Sequence, residues 1–464
     1  MTATVSNSSG TKGLADISSR LIDHWFPCAA VDIAVGTPAG SGRSEKALFT
    51  WFASRPIAQA RAAVLTALLP SAPELQVAVR RAVEQGDRNA LADLSQVIAA
   101  QYPQGRPVVL DIFSGRGIIP LEAARLGVVS VGTDLSPVAT VAGRLLADYP
   151  FRDWTKEVSL PFRPMSASGG RSELFDAWDG SRLLSDVQVL LFEIGKRVAM
   201  SMEMYYPRDS EGRFPWAYVW AVTLPCDQCK RRFPLIGSLT LRHPYMSTDD
   251  PGQAMRLLTS GDRWYIEVVE GIAEQQPTFS AAAGRKGKTA RCVFCGHLHS
   301  LEAVKAKGFG GEYRDALLVV ADGGETTRKC FRAPTQHEVE IAESVDISHA
   351  KPIGPFSAIP DERIPSGNQD TIRASGYGYQ SFGDLMVARQ ALHFSTMTTV
   401  IRECHAELLA AGISVEYASA LTAYATANLV RALKHATRGA KDPFSNNFRF
   451  SAVVSREQRS LRVQ

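Results

Sequence analysis

The chain has 464 residues, 45% hydrophobic and 21% charged, the profile of a soluble globular protein with enough length for two or three domains. No run of about 18 apolar residues occurs, which argues against a membrane span. A net charge of +4 is too small to imply a nucleic-acid partner by itself, yet it is compatible with a locally basic groove.

Residues 1–17 are rich in Ser, Thr and Gly, lack a basic-then-apolar signal pattern, and read as a disordered tail. A helical region follows over 18–100. Within it Ser54 is placed to cap a helix beginning at Pro56, with Ile57, Val64, Leu65, Leu68 and Leu69 at roughly helical spacing. Pro70 and Pro73 end that helix, and Glu74 to Ala100 has helical composition.

An α/β core is expected over 101–225. Val108-Val109-Leu110 reads as a short buried strand and Asp111 to Gly117 as a loop. A helix carries Leu121, Ala124 and Leu126 inward and stops at Gly127, and Val128 to Thr133 forms the next strand. Ser136-Pro137 starts another helix, 151–182 is loop-like, Leu184 to Met204 is helical, and Ala217 to Leu224 is a strand. Over 226–333, short strand candidates (Leu235–Leu241, Trp264–Val269, Ala316–Ala321) alternate with Gly-rich and charged turns, the texture of a β-rich insert. A Pro/Gly/Ser-rich linker spans 334–381. Two helices, about Phe382–Ala411 and Val415–Thr437, close the C-terminal region 382–464.

Two motifs carry chemistry. The first is Asp111-Ile-Phe113-Ser-Gly115-Arg-Gly117 at the end of a strand, with Asp134 at the end of the next. Glycines let a backbone pass close beneath a ligand, and a carboxylate at the second strand's end can hold both hydroxyls of a ribose. A dinucleotide loop would carry a third glycine where Pro120 stands. The loop also has no phosphate-binding lysine, so it suits S-adenosylmethionine better than NAD, with another nucleotide or a plain strand–turn–helix as the alternatives. Arg55 is a candidate for the cofactor's carboxylate, as is Arg61 more weakly; salt bridges on a helix are the plain alternative.

The second motif is Cys226-x-x-Cys229 with Cys292-x-x-Cys295, the spacing of a structural zinc ribbon. Such pairs fit a reducing compartment with a bound metal better than disulfides, so a cytoplasmic protein is expected. The long stretch 230–291 implies a ribbon carrying a hairpin, and four unrelated reduced cysteines are the alternative. His297 and His299 are weaker ligand candidates because four thiolates already close a tetrahedral shell. Cys28, Cys330 and Cys404 read as small hydrophobes. Lys230, Arg231, Arg232, Arg285, Lys286, Lys288 and Arg291 gather on the same insert, as phosphate contacts or as a solvated turn. Trp216, Tyr218 and Trp220 alternate as core residues of a strand do.

Taken together, four segments resemble the family of adenine-specific DNA methylases that contain a zinc ribbon. They are Trp51 to Arg61; Asp111 to Leu126 with Gly132-Thr-Asp134-Leu-Ser-Pro137; Ala217-Tyr-Val-Trp220-Ala with the two cysteine pairs; and Gly376-Tyr-Gly to Arg389-Gln390. The resemblance covers about 20–400 in matching order. It implies a Rossmann-like class I methyltransferase core with a helical N-terminal region, a zinc-ribbon insert and C-terminal helices. It further implies methyl transfer from S-adenosylmethionine to the adenine N6 amine of DNA, with Asp111, Phe113, Gly115, Gly117, Asp134 and Arg55 at the cofactor and the four cysteines on zinc. Arg389 and Gln390 would be candidates to face nucleic acid, helix-surface polar residues being the plainer reading.

Ile112 stands where the family tends to have proline, and Arg116 where a small residue is usual. The family's Asp/Asn-Pro-Pro-aromatic catalytic loop is missing: none of the 25 prolines has a proline neighbour. His243-Pro244-Tyr245 and Asp442-Pro443-Phe444 are the nearest strings, each short of the second proline. The expectation is therefore an enzyme catalytically incomplete as a single chain, needing a second polypeptide for that loop. The alternatives are a non-catalytic DNA- or adenosylmethionine-binding subunit of a modification or defence complex, and a truncated inactive remnant. An RNA guanine methylase would share the glycine loop without predicting the cysteine insert.

Overall fold

The computed structural model describes residues 19–36, 51, 55–162, 181–208, 212–215, 217–244, 250–281, 288–322, 330–348, 350–367, 372–433, 437–438 and 449–450. The expected tail 1–17, the Ser54 cap, Trp216, Tyr245, Arg285, Lys286 and Asp442-Pro443-Phe444 lie outside them. The chain is a mixture of helix and sheet in two compact units, Met1–Lys156 and Glu157–Gln464. No helix among the described residues is long and apolar enough to cross a membrane.

In the first unit, α1 (Leu21–His24), α2 (Cys28–Gly36), α3 (Ile57–Leu68), α4 (Leu75–Gln85) and α5 (Arg88–Gln101) precede the sheet. Pro56 stands at the N-cap of α3 rather than inside it. The single helical stretch expected over 74–100 is two helices. Gly86 takes a left-handed φ of +65°, and Asp87 then caps α5 by accepting from the N–H groups of Asn89 and Ala90. Leu65, Leu69, Val79, Leu94 and Ile98 form the core between these helices.

Next come β1 (Val108–Asp111), α6 (Ile118–Arg125), β2 (Val129–Gly132) and α7 (Pro137–Ala147). β1 and β2 run parallel, with Val108 opposite Val129 and Leu110 opposite Val131. Val109 and the buried Ala123, Leu126 and Val128 join the helical core, so one face of the pair is covered. The other face is not. Val108 and Leu110, expected to be buried, are exposed; among the described residues this sheet has two strands.

The second unit holds α8 (Arg182–Met202), packed with the C-terminal pair described below, and a set of antiparallel sheets. β3 (Ala217–Pro225) pairs with β4 (Arg232–Pro234), while β5 (Thr240–Arg242), β6 (Gln253–Ser260) and β7 (Arg263–Glu270) form a meander. β8 (Phe279–Ala281), β9 (Lys288–Arg291) and β10 (Leu298–His299) form a third sheet. After α9 (Leu301–Phe309), β11 (Arg314–Asp322) returns antiparallel to β3 and is flanked by β12 (Cys330–Arg332). β3 therefore lies in an antiparallel sheet. Both long strands are buried nearly throughout.

The expected linker 334–381 contains α10 (Gln336–Glu343). Thr335 and Glu338 cap it reciprocally, and Glu338 also pairs with Arg332 at 2.7 Å. Helices α11 (Ala388–Ala410) and α12 (Val415–Leu433) turn about Gly412, at φ +87°. They pack against α8, tied by Tyr417 Oη donating to Asp186 (2.7 Å) and Arg197 Nη2 to Glu407 (2.8 Å). A short strand β13 (Arg449–Phe450) lies along the far side of β3.

Candidate functional sites

The glycine loop lies at the carboxyl ends of β1 and β2. Gly115 and Gly117 both take left-handed backbone angles, φ +51° and +83°, which side chains disfavour. The N–H of Gly115 donates to Asp134 Oδ2 (2.8 Å) and that of Ser136 to Asp134 Oδ1 (2.9 Å), so this carboxylate ties the loop to the second strand. Asp111 Oδ1 accepts from the N–H of Phe113 (3.2 Å). Asp111, Phe113, Gly115, Gly117 and Asp134 are thus brought to one edge, with the Phe113 ring 85% exposed.

Packing accounts for much of the glycine pattern. A Cβ on Gly117 would sit 2.8 Å from the Cα of Gly143 on α7, and one on Gly115 would sit 3.1 Å from the Trp51 indole nitrogen. Gly117 therefore serves the close approach of α6 and α7 as well as the turn. Arg116 is buried. Arg55 is exposed. Arg61 is committed elsewhere: its Nε lies 2.6 Å from the buried Glu122 carboxylate and its Nη1 donates to the Ala82 carbonyl (2.9 Å). Arg125 completes the arrangement on the other Glu122 oxygen.

The four paired cysteines converge in the second unit. Cys226 and Cys295 sulfurs are 3.6 Å apart, Cys229 and Cys292 sulfurs 3.7 Å, and all four lie within 4.8 Å of one another. A tetrahedron with metal–sulfur bonds of about 2.3 Å has sulfur–sulfur edges of about 3.8 Å, so the cluster could hold a metal ion such as zinc. Each pair occupies the turn between two antiparallel strands, β3 and β4 or β9 and β10, and the turns repeat one design. The N–H of Lys230 donates to the Cys226 carbonyl and that of Cys226 to the Arg231 carbonyl. The N–H of Gly296 donates likewise to Cys292, and that of Cys292 to His297. Lys230 (φ +63°) and Gly296 (φ +74°) hold the same left-handed position in the two turns.

Electrostatics around the sulfurs are uneven. Burial raises the Cys226 thiol and pushes Cys292 up to about 12. Burial also acts on Cys229, but the Arg231 N–H and guanidinium and the neighbouring sulfurs outweigh it and bring that thiol down to about 6. Leu224, Phe233, Phe279, Ala290 and Val304 pack round the buried sulfurs.

His297 and His299 form a separate group with Asp227. Asp227 lies 3.0 Å from His299 Nδ1 and 2.7 Å from Lys307 Nζ. The Lys307 ammonium, then the histidine, hold the Asp227 carboxyl below its ordinary range. This network went unread in the sequence, because nothing in the spacing joins residues 227, 299 and 307.

Two of the seven residues in the expected basic cluster, Arg231 and Arg232, are engaged in packing. Arg231 lies over the Phe294 ring (4.4 Å) and near Asp262 (3.6 Å); Arg232 donates to the carbonyls of Thr223 and Glu312 (2.9 Å each). Lys230, Lys288 and Arg291 remain exposed.

Arg389 and Gln390 do not face solvent. Arg389 is 2% exposed, with its guanidinium 4.0 Å from the Tyr218 ring, 4.5 Å from Tyr206 and 5.3 Å from Trp220, and it donates to the Tyr205 carbonyl (3.0 Å). Gln390 turns back to accept from the Val387 N–H and so serves the start of α11. Tyr218 and Trp220 are buried, in keeping with the core role read from their alternation. Comparison of the chain with protein-family models, with curated proteins and with solved structures returns no match.

Proposed function

We propose that the chain is the cofactor-binding part of an S-adenosylmethionine-dependent DNA methyltransferase acting on adenine N6, with a structural zinc on Cys226, Cys229, Cys292 and Cys295. The observation that carries this reading is the loop at the carboxyl ends of a parallel strand pair, with Gly115 bonded to the carboxylate of Asp134. Such an edge is where open α/β sheets take nucleosides. Each Asp134 oxygen uses one acceptor position on the backbone, which leaves capacity for ribose hydroxyls. The order of the four family-like segments adds the substrate class. S-adenosylmethionine would supply the activated methyl group; this chain's residues would bind and orient it. No Asp/Asn-Pro-Pro-aromatic string, the kind of loop that accepts the adenine amine, occurs in these 464 residues, so the acceptor step is assigned to none of them.

Calorimetric titration of the zinc-loaded chain with S-adenosylmethionine and S-adenosylhomocysteine tests the reading. Micromolar binding is expected, with at least about tenfold weakening in Asp134→Ala (~1.4 kcal/mol). Wild-type affinity in a folded Asp134→Ala sample would show the pocket to be misassigned. A second reading is a non-catalytic subunit that holds the cofactor or DNA within a modification or defence complex, favoured by the lack of a Pro-Pro string in these 464 residues. Methyl incorporation into DNA on addition of a polypeptide that carries such a loop separates the two.

A further inference from the structure

Next to the sulfur cluster in sequence, and sharing no ligand with it, stand two imidazoles and a carboxylate. One donor atom each from Asp227, His297 and His299 lies within 4.8 Å of the other two. The turn after β3 supplies Asp227, and the end of the β9–β10 turn and β10 itself supply the histidines. The His299 ring is held on three sides. It stacks on Phe233 (centroids 5.5 Å apart, planes at 30°), meets His297 edge-on (4.7 Å, 86°), and turns Nδ1 to Asp227 Oδ2 at 3.0 Å. Its side chain is 0% exposed, and Nε2 is buried without a hydrogen-bond partner among the described residues. An unpaired buried polar atom is costly, so a ring fixed in this way calls for a use of the nitrogen that it presents.

We infer that Asp227, His297 and His299 hold a second, exchangeable divalent cation of the first transition row, separate from the ion on the four sulfurs. The donor set fixes the class. Two imidazoles and a carboxylate suit zinc, nickel or ferrous iron, whereas magnesium and calcium take oxygen ligands. Bonds of about 2.1 Å give ligand–ligand edges of about 3.0 Å in an octahedron and about 3.4 Å in a tetrahedron. The 3.0 Å between Asp227 Oδ2 and His299 Nδ1 is such an edge. Lys307 Nζ, on α9, lies 2.7 Å from Asp227 Oδ1, so it orients the carboxylate and leaves Oδ2 toward the histidine. The same ammonium repels a cation, and three protein donors leave the rest of the shell to water. The ion is therefore held more weakly than one bound by four thiolates. Asp227 is 51% exposed and His297 half-buried, which gives the ion a way in. The rival role for the three residues is a hydrogen-bonded brace between turns, which binds no ion. Neither role rests on the methyl-transfer reading.

The test uses the full chain with zinc on its cysteines, passed over a chelating resin to strip weaker ions and then titrated with cobalt(II). One further equivalent should bind with micromolar affinity. Its visible spectrum should lack the thiolate-to-cobalt charge-transfer bands that the sulfur cluster would give. His297→Ala and Asp227→Asn should each weaken this uptake at least about tenfold. His337→Ala, at an exposed histidine on α10, should leave it unchanged. Both site variants keep the four sulfurs, and their zinc content and circular dichroism report folding. Magnesium and calcium should not displace the cobalt. No further equivalent in the folded, zinc-loaded wild type, uptake undiminished in either site variant, or an equal loss in His337→Ala would each overturn the inference. Displacement by magnesium or calcium, or thiolate bands in the second equivalent, would do so too. If the cysteines hold no zinc, the structural-zinc reading falls alone, since the spectra of the two sites differ and the cobalt titration still decides this one.

Discussion

The cysteine cluster and the glycine loop are both built on short turns at strand ends, yet one closes on itself and the other does not. Two hairpin turns bring four sulfurs within 4.8 Å, and a hydrophobic shell of the same unit packs around them. The glycine loop sits on two parallel strands from which Val108 and Leu110 stand exposed. A tetrahedral metal site needs four donors and nothing more. A nucleoside crevice needs strands on both sides of the first one. The contrast separates a motif that completes its own geometry from one that depends on the layers around it.

The largest effect should come from breaking the closed side. Removal of the metal by chelation, or Cys292→Ala, should collapse the turns around Leu224, Phe233 and Val304, since metal-binding free energy at such sites is on the order of 10 kcal/mol. One metal per chain by mass spectrometry, and a fall in thermal midpoint on chelation, would check this. Affinity should weaken as pH falls, because protons compete for the thiolates. A folded, equally stable metal-free chain would remove the distinction between the two regions.

The open side has its own anchor, the buried Arg61–Glu122 pair beneath α6. Glu122→Ala leaves the Arg61 guanidinium buried without its carboxylate, and loss of one partner of such a pair costs about 3–5 kcal/mol. The denaturant midpoint of the first unit should fall accordingly while metal content is unchanged. Gly117→Ala should cost about 2 kcal/mol, from its φ of +83° and the contact with Gly143. Gly115→Ala meets a movable indole and should cost less. If instead Gly115→Ala weakens adenosylmethionine binding far more than it weakens folding, the loop is shaped for a ligand rather than for packing.

These differences also set what could be read from sequence. Cys-x-x-Cys pairs announce their own geometry, so residues 226, 229, 292 and 295 were legible together. Strand, turn and helix at 108–126 were legible too, because glycines and apolar runs act locally. Burial was not. Val108 and Leu110 look like core residues in their apolar run, yet they stand exposed. Arg389 and Gln390 misled for the converse reason. An arginine on a helix reads as solvated, and nothing nearby in sequence reveals that Tyr206, Tyr218 and Trp220 enclose it. Helix α10 was missed although its signal was present: Thr335 and Glu338 stand at capping-box spacing inside a stretch dominated by proline and glycine.

The smallest effect sharpens the comparison most finely, because it concerns a contact that helps close the cysteine site without being a ligand. Asp227 follows Cys226 directly and reaches His299 and Lys307, so it ties the first turn to the strand and helix after the second. Its side chain is half exposed, and pairs of that kind contribute below about 1 kcal/mol, screened by salt. Asp227→Asn should therefore lower stability by less than that amount in dilute buffer, and by almost nothing at about 1 M salt. The sign with pH follows from the lowered carboxyl. Its contribution is present above the ordinary carboxylate range and is lost as pH falls through the depressed folded value, so the gap between variant and wild type should narrow on acidification. A gap of several kcal/mol that salt does not touch would mean that Asp227 acts on the metal itself, and the closed site would then extend beyond its four sulfurs.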